Sequence, residues 1–443
     1  TTASNNTAVG KSALGANTTG ANHVAVGTSA MAANTTGVQN TAVGDVALTT
    51  NTTGNTNAAF GIGALQANTT ASSNSAVGAY ALTANTTGDE NTAMGAYALD
   101  ANTTGSDNTA LGYLAMSANT TAGNNTAIGR KTMLVNTTGS GNTAVGAQAL
   151  DANTTAANNT AIGYQALTAN TEGASNTSIG VSSLQANTTG ASNVALGQDA
   201  LYANTTASNN TAVGKGAMVA NTTGHSNNAV GAVSLDANTT GNGNNAFGYA
   251  ALGANTTADG NSAFGHEALL VNTTGADNTA IGKEALKANT TGASNTIVGA
   301  YAGDAVTTGS RNVGMGEYAM SGTTTGDDNT AIGKSALQGN TSGDQNVALG
   351  RSSMLNNQTH HRNTSVGYQS MASGVQGDNN VAIGYNSLYT NTADNNTALG
   401  YNSLFANTSG TLNTAVGQGA LDANTTASNN TAVGHAALTT NTT

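Results

Sequence analysis

Apolar and polar residues alternate along this chain in a unit that repeats every 17 residues. The unit reads approximately Asn-Thr-Ala-Val-Gly-x-x-Ala-Leu-x-Ala-Asn-Thr-Thr-Gly-x-x, and 26 copies follow one another. Gly10, Gly27 and Gly44 begin the series of repeat glycines, whose spacing shortens by one residue only before Gly400. A short fixed period predicts a solenoid in which every copy forms one coil stacked on the next.

Two segments of each unit alternate between apolar and polar residues, and both are bounded by turn-forming residues. Thr-Ala-Val-Gly and Ala-Leu-x-Ala therefore predict two short strands per coil. Asn-Thr-Thr-Gly, as at residues 17–20, predicts the turn, and the repeat glycine predicts a second corner. The predicted fold class is all-β, a β-solenoid of 26 coils. Because the pattern covers residues 1–443, we expect a single continuous repeat array, a portion of a longer fibre without capping copies.

Three rows of side chains follow from the repeat. The valine row is the residue before each repeat glycine, the leucine row lies four residues after that glycine, and the alanine row lies two residues before it. We expect the valine and leucine rows to form the core, beginning with Val9, Val26 and Val43 and with Leu14, Met31 and Leu48. Since strand neighbours point to opposite faces, the alanine row is expected to face outwards.

A flat outward face of alanines suits close approach of another chain. We therefore expect the coils to pack against copies of themselves through the alanine row, as a homotrimer around an axis. The alternative is a monomeric solenoid whose alanines simply face solvent.

Composition narrows the classes of partner. Charged residues make up 7% of the chain, the net charge is −11 and there is no cysteine. A charge-poor acidic chain argues against nucleic acid as a partner, and disulfides and thiolate metal sites are excluded. No apolar run approaches the ~18 residues of a membrane span, so none is expected in this chain.

Segments such as 6–10, 40–44 and 142–146, each reading Asn-Thr-Ala-Val-Gly, are followed by Ala-Leu or a similar pair. They resemble the head repeats of YadA-like trimeric autotransporter adhesins, and similar arrays occur in bacteriophage tail-fibre proteins. The likeness covers all 26 copies, although the unit here is longer around Asn-Thr-Thr-Gly. This resemblance implies a left-handed parallel β-roll, three chains, and an adhesive or spacer role at a surface.

The asparagine of the turn is the most frequent candidate for chemistry. It begins Asn-x-Thr/Ser tripeptides, which are potential glycan acceptors, but stacked asparagines also form hydrogen-bonded ladders without any sugar. Both interpretations apply to Asn17, Asn34, Asn51, Asn68, Asn85, Asn102, Asn119, Asn136, Asn153 and Asn187. A third interpretation is a regular Asn-Thr-Thr grid that orders water on ice.

The remaining polar residues predict surface decoration rather than catalysis. Tyrosines and charges concentrate in the variable pair after each repeat glycine, where a tyrosine ridge could bind glycans or proteins. Acidic residues precede some strands, but neighbouring copies mostly hold Asn, Ser or Gly there, so we expect no carboxylate column and no calcium site. The six histidines are scattered. We expect no catalytic residue, no cofactor and no metal.

The sequence thus predicts a structural and adhesive extracellular protein, a rigid trimeric rod of a cell-surface fibre or a virion tail fibre. Its expected partners are further copies of itself, also end to end in a filament, and glycans or proteins of a host or cell surface. The alternative is a monomeric β-solenoid that binds ice or carbohydrate through its repeated turn face. Residues 299–326 depart from the repeat and are candidate kinks, or drift without consequence.

Overall fold

The computed structural model describes residues 2–374 and 377–442. It divides into two compact units, Thr1–Thr223 and Gly224–Thr443. Each unit is a parallel β-solenoid with thirteen strands, one per coil, and the described residues contain no helix. The expectation of one uninterrupted array stays a prediction.

Every strand has three residues and ends on the valine row. The first unit contains β1 Thr7–Val9, β2 Val24–Val26, β3 Thr41–Val43, β4 Ala58–Phe60, β5 Ser75–Val77, β6 Thr92–Met94, β7 Thr109–Leu111, β8 Thr126–Ile128, β9 Thr143–Val145, β10 Thr160–Ile162, β11 Thr177–Ile179, β12 Val194–Leu196 and β13 Thr211–Val213. The second contains β14 Asn228–Val230, β15 Asn245–Phe247, β16 Ser262–Phe264, β17 Thr279–Ile281, β18 Thr296–Val298, β19 Val313–Met315, β20 Thr330–Ile332, β21 Val347–Leu349, β22 Thr364–Val366, β23 Val381–Ile383, β24 Thr397–Leu399, β25 Thr414–Val416 and β26 Thr431–Val433.

Within each unit, consecutive strands pair in parallel and in register, so that identical repeat positions lie side by side. Ala42 pairs with Ala59, for example, 17 residues further along the chain. The shortened copy keeps this register, because Ala382 pairs with Ala398, 16 residues on. Its missing residue is taken from the turn, where the Asn391 side chain donates to the carbonyl of Ala393 instead of to a carbonyl three residues on.

The prediction of a second strand at Ala-Leu-x-Ala is wrong. Residues 45–50 form successive turns in which Val46 and Leu48 have φ angles of 52° and 53°. Their backbone N–H groups still join neighbouring coils, since Val46 donates to Thr28 at 2.9 Å and Leu48 donates to Ala64 at 2.9 Å. In these turns the backbone φ angle is positive at every second residue, which gives the same two-residue period as a strand. The apolar pattern therefore cannot distinguish these turns from a strand.

The expected facing of the strand is also wrong. The alanine row is buried, with Ala25 and Ala42 fully inaccessible, whereas Val9 is 58% exposed and Val26 and Val43 are only partly buried. Val9, Val26 and Val43 are therefore outward residues, and the alanines do not form an outer face. The leucine row does lie inside, with Met31 and Leu48 fully buried and Leu14 partly buried.

The narrow interior of the coil explains this facing. Both the alanine row and the leucine row are buried, and at Gly314 of the alanine row an added Cβ would lie 3.3 Å from Sδ of Met320 of the leucine row, so one long and one short side chain share the interior there. A strand turned by one residue would put valine and leucine into the same volume, which overpacks it.

Residues 297–314, which overlap the segment 299–326 expected to be a kink or drift, show compensating volumes. Ile297 replaces an alanine of the alanine row and is fully buried. Gly303 replaces the leucine of the same coil, and Gly314 replaces the alanine of the next coil. A Cβ added at Gly303 would lie 3.4 Å from Cγ2 of Ile297, and one added at Gly314 would lie 2.8 Å from Cδ1 of Ile297. The isoleucine therefore occupies the space that both glycines leave.

We predict that Ile297→Ala lowers the free energy of unfolding by about 2–4 kcal/mol, because it leaves a cavity between two glycines. Restoring the usual residues in the triple variant Ile297→Ala/Gly303→Leu/Gly314→Ala should recover the loss. The exposed Thr296→Ala in the same strand serves as the control and should change stability little. Chemical denaturation of the four proteins measures this. Equal stability of the Ile297→Ala and triple variants would contradict volume compensation.

Candidate functional site

The turn asparagines, seven residues after each repeat glycine, form a ladder inside the coils. Asn51 donates from Nδ2 to Oδ1 of Asn34 at 2.9 Å and also to the carbonyl of Gly54 at 3.0 Å. The same arrangement recurs from coil to coil, and the ladder asparagines Asn34, Asn51, Asn68, Asn85, Asn102, Asn119, Asn136, Asn153 and Asn187 are fully buried. Asn17 is partly buried and accepts from Asn34 at 3.0 Å.

This ladder shows how the turn asparagines are engaged in the folded coil. Glycosylation needs a free amide nitrogen that an enzyme can reach, but Nδ2 of Asn51 is buried and makes two hydrogen bonds. The structure therefore shows these side chains as ladder residues, and in the folded coil they are not accessible acceptors. The first turn threonine is engaged as well, since Oγ1 of Thr35 donates to the carbonyl of Thr52 at 3.0 Å. Only the second threonine, as at Thr36, is exposed.

A second buried ladder was missed by the sequence analysis. It consists of the asparagines four residues before the repeat glycine, here called the strand-entry asparagines. The backbone N–H of Asn57 donates to Oδ1 of Asn40 at 2.8 Å, and Nδ2 of Asn40 donates to the carbonyl of Gly54 at 2.7 Å. The signal was present, because this position is Asn in every copy except at His23.

The two ladders meet at one backbone oxygen per coil. The carbonyl of Gly54 accepts from Asn51 of the turn ladder and from Asn40 of the strand-entry ladder, which uses both of its lone pairs. A Cβ at Gly54 would collide with the Ala71 carbonyl and with Oδ1 of Asn51. The small residue at this position therefore lets the two amides converge.

His23 takes the place of a strand-entry asparagine and copies its hydrogen bonds. Nδ1 accepts the backbone N–H of Asn40 at 3.2 Å, as an asparagine Oδ1 would. The ring also bonds to the carbonyl of Gly37, as an asparagine Nδ2 would. This pattern assigns the proton to Nε2. The side chain is 1% exposed, and burial lowers the pKa of His23 below its ordinary value of 6.5.

We predict that acidification weakens the first coils through His23. Because its pKa is lowered in the folded chain, its contribution to stability is complete above the unfolded value of 6.5 and is lost as the pH falls towards the folded value. Protonated Nδ1 would face the Asn40 N–H, so two donors would oppose each other. Amide hydrogen exchange of Asn40 should accelerate on acidification, after correction for the intrinsic rate. His23→Asn, the matched control, should remove that acceleration, and its persistence there would contradict the role of His23.

Val306 interrupts the turn ladder. Oδ1 of Asn289 on one side and Oγ1 of Thr323 on the other are buried and have no hydrogen-bond partner among the described residues. Val306 itself is fully buried. An unpaired buried polar atom costs about 1–3 kcal/mol, so this break is a weak interface between coils.

We predict that Val306→Asn stabilises the second unit by about 1–2 kcal/mol. The new Nδ2 would donate to Oδ1 of Asn289 and to the carbonyl of Gly309, as in the intact copies. Val306→Ala, which removes the side chain without restoring the ladder, should instead be destabilising. Thermal unfolding distinguishes the three proteins. A Val306→Asn variant no more stable than the parent would show that the ladder contributes little there.

The outward face of each sheet carries the valine row. Its side chains are large and partly or fully exposed, for example Phe60 at 41%, Met94 at 46% and Leu399 at 44%. Within the second unit, Phe247 and Phe264 stack with ring centroids 4.8 Å apart. One apolar side chain per coil therefore forms a continuous apolar stripe along the surface of each unit, which sequence analysis had placed in the core.

The variable pair after each repeat glycine faces solvent, as its composition indicates. Tyr164 and Tyr249 are 51% and 52% exposed. Coil stacking also brings tyrosines of adjacent copies together: Tyr80 and Tyr97 lie 5.4 Å apart between ring centroids, and so do Tyr368 and Tyr385.

A carboxylate column does form in the second unit, contrary to the sequence analysis. Six residues before five successive repeat glycines lie Asp327, Asp344, His361, Asp378 and Asp394. Each side chain accepts the backbone N–H at the same position of the preceding coil, at 2.7–2.9 Å. These acceptors therefore serve coil stacking.

His266, Glu267 and Glu284 also lie close enough together to share a metal ion. The ammonium of Lys287 contacts both carboxylates, at 2.7 Å from Glu267 and 3.1 Å from Glu284. Its hydrogen bond holds the pKa of Glu267 below the ordinary value. Lysine thus supplies the positive charge of this cluster.

No family model matches this chain, and no curated protein matches it significantly. Among the described residues, no helix has the length and apolar character needed to cross a bilayer. Neither unit shows a cavity in the part of the chain that the structure describes.

Proposed function

We propose that this chain is a structural and adhesive component of an extracellular fibre, carried on a cell surface or a virion tail. Its coils associate with further copies of the chain as a homotrimer, and the repeated outer positions contact glycans or proteins of a target surface. The observation that carries the proposal is the apolar stripe of the valine row. The resemblance of the Asn-Thr-Ala-Val-Gly segments to trimeric adhesin heads and phage tail fibres points in the same direction.

The stripe favours self-association because of its regularity. A soluble monomer rarely exposes a contiguous apolar surface of more than a few hundred Å². The stripe has the spacing of the coils, ~4.8 Å, and another copy of the chain has the same spacing. Three stripes that meet on a common axis would cover one another along their whole length, and closed symmetry of this kind is usual for homo-oligomers.

The proposed interface differs from the one expected from sequence alone. The alanine row fills the coil interior, so the neighbouring valine row takes over the contact. Association would then bury large aliphatic and aromatic side chains, each contributing about 1.5–3 kcal/mol when fully covered.

Adhesion would arise from repetition. The variable pair after the repeat glycine lies at the same place on every coil. A weak contact made by one coil can therefore be repeated by the next coils along the fibre. Several linked weak contacts bind far more strongly than one. The residue type of this pair varies between coils, for example Lys11 in one and Tyr164 in another, while the repeated residues of the interior stay the same.

The alternative, a monomer that binds ice or carbohydrate through the Asn-Thr-Thr turn face, has less support. The asparagine is buried, and the hydroxyl of the first threonine donates to the next coil, as at Thr35. In most coils one exposed threonine remains, as at Thr36 and Thr53. One column of hydroxyl groups does not make the two-dimensional grid that this alternative needs.

We predict that analytical ultracentrifugation of the native protein gives a mass three times that of one chain, which is 43.1 kDa. Val145→Lys combined with Ile162→Lys places charges in the stripe of two adjacent coils and should give a monomer with unchanged circular dichroism. Thr138→Lys combined with Thr155→Lys adds the same charge to exposed turn positions of two adjacent coils, the one before Val145 and the one containing Val145, and should stay trimeric. A native chain of single-chain mass would contradict the proposal, and so would a trimer that tolerates both stripe lysines.

A further inference from the structure

Three tyrosines of the second unit, which belong to the variable pair after the repeat glycines, form a continuous stack. Tyr368, Tyr385 and Tyr401 each follow a repeat glycine in successive coils, and are here called the tyrosine ladder. Their ring centroids are 5.4 and 5.3 Å apart, with interplanar angles of 16° and 12°. The rings are 39%, 43% and 49% exposed, so solvent reaches all three.

Coil stacking produces this arrangement. Because strands pair in register, the same repeat position of adjacent coils is separated by one strand spacing of ~4.8 Å. The guanidinium of Arg351 lies 5.8 Å from the Tyr368 ring centroid and covers that end of the ladder. Each ring therefore keeps solvent-accessible surface although its neighbours stack on it.

We propose that the tyrosine ladder is a site of oxidative cross-linking, in which adjacent tyrosines are joined as dityrosine. The oxidant is hydrogen peroxide, used by a haem peroxidase. Each of two phenols loses one electron and one proton to become a phenoxyl radical. The radicals couple through the ring carbons next to the oxygens to form one carbon–carbon bond; each of those carbons then loses its proton and each oxygen takes one up, which restores two aromatic phenols. One peroxide molecule takes up the two electrons together with two protons and becomes two molecules of water.

The geometry favours coupling within the ladder over coupling between molecules. A radical on Tyr385 has a second phenol within one coil spacing on either side, which is the advantage of an intramolecular reaction over a bimolecular one. Tyr164 lacks this advantage although it is 51% exposed, since Ala147 and Val181 occupy the same position in its neighbouring coils.

Tyr389 provides the closest comparison. It lies in the same coil as Tyr385 and stacks on Phe405 at a centroid distance of 5.3 Å and an angle of 5°. The stacking matches that of the ladder, but the neighbouring ring has no hydroxyl group. A phenoxyl radical at Tyr389 therefore finds no phenol partner in the next coil.

A covalent link of this kind would join residues 16 or 17 positions apart and fasten one coil to the next. The chain has no cysteine, so a disulfide cannot perform this role. Two links in the ladder would tie three successive coils together, from the one containing Tyr368 to the one containing Tyr401.

The test treats the native chain, at several dilutions, with horseradish-type haem peroxidase and hydrogen peroxide. Dityrosine fluorescence measures the yield, and peptide mapping by mass spectrometry locates peptides joined with the loss of two hydrogen atoms. We expect links between Tyr368 and Tyr385 and between Tyr385 and Tyr401, with a yield per chain that does not depend on protein concentration.

Two conservative variants complete the test. Tyr385→Phe keeps the ring stack but removes the central phenol, and should reduce the links of Tyr368 and Tyr401 to the level of Tyr164. Tyr389→Phe removes one hydroxyl group from the same coil and should leave those links unchanged. The proposal is overturned if cross-linking at the ladder rises with protein concentration, if Tyr164 couples as readily, or if Tyr385→Phe has no effect. Links found only between chains, which raise the denatured mass above 43.1 kDa, overturn it as well.

Discussion

Every coil of this protein depends on pairing its buried amide groups with those of the coils above and below. Most coils enclose two asparagine side chains, and an unpaired buried polar group costs about 1–3 kcal/mol, as much as one buried leucine contributes. Their ladders converge on one carbonyl, that of Gly54 in the third coil. Neighbouring copies are therefore mutually required: an isolated coil would keep the bonds to its own Gly54 carbonyl but would leave the Oδ1 atoms of its asparagines without the donors that the next coil supplies.

The small apolar core follows from the same constraint. With asparagines on one side of the coil, only a narrow space remains for apolar side chains, and it holds one leucine opposite alanines. Ile297 shows how strictly volume is conserved there, because its extra carbons are matched by the glycines at 303 and 314. Length is less restricted at the turn, where the copy ending at Gly400 lost a residue without any change of strand register.

The sequence alone predicted the period, the parallel coils and the buried leucine row, because each depends on residues that recur at one position. It could not predict which side of a three-residue strand faces inwards. The alternation of Ala42 and Val43 is compatible with either residue facing inwards. Only the space left beside Leu48 determines that the alanine faces inwards and the valine outwards. The turn asparagines were correctly recognised as ladder candidates, but their burial and the second ladder depend on how two distant positions of the unit converge. The tyrosine ladder likewise depends on register between copies.

The direction of the amide hydrogen bonds has a consequence for how coils can be added. Each turn asparagine donates to the coil before it, as Asn51 does to Asn34 and Asn68 does to Asn51. The side-chain dipoles of a unit therefore all point the same way and add up, as peptide dipoles do along a helix. A coil inserted in the opposite sense would set donor against donor. A stack of this repeat is consequently polar: its two ends are chemically different, and a coil can be added at either end in one orientation only.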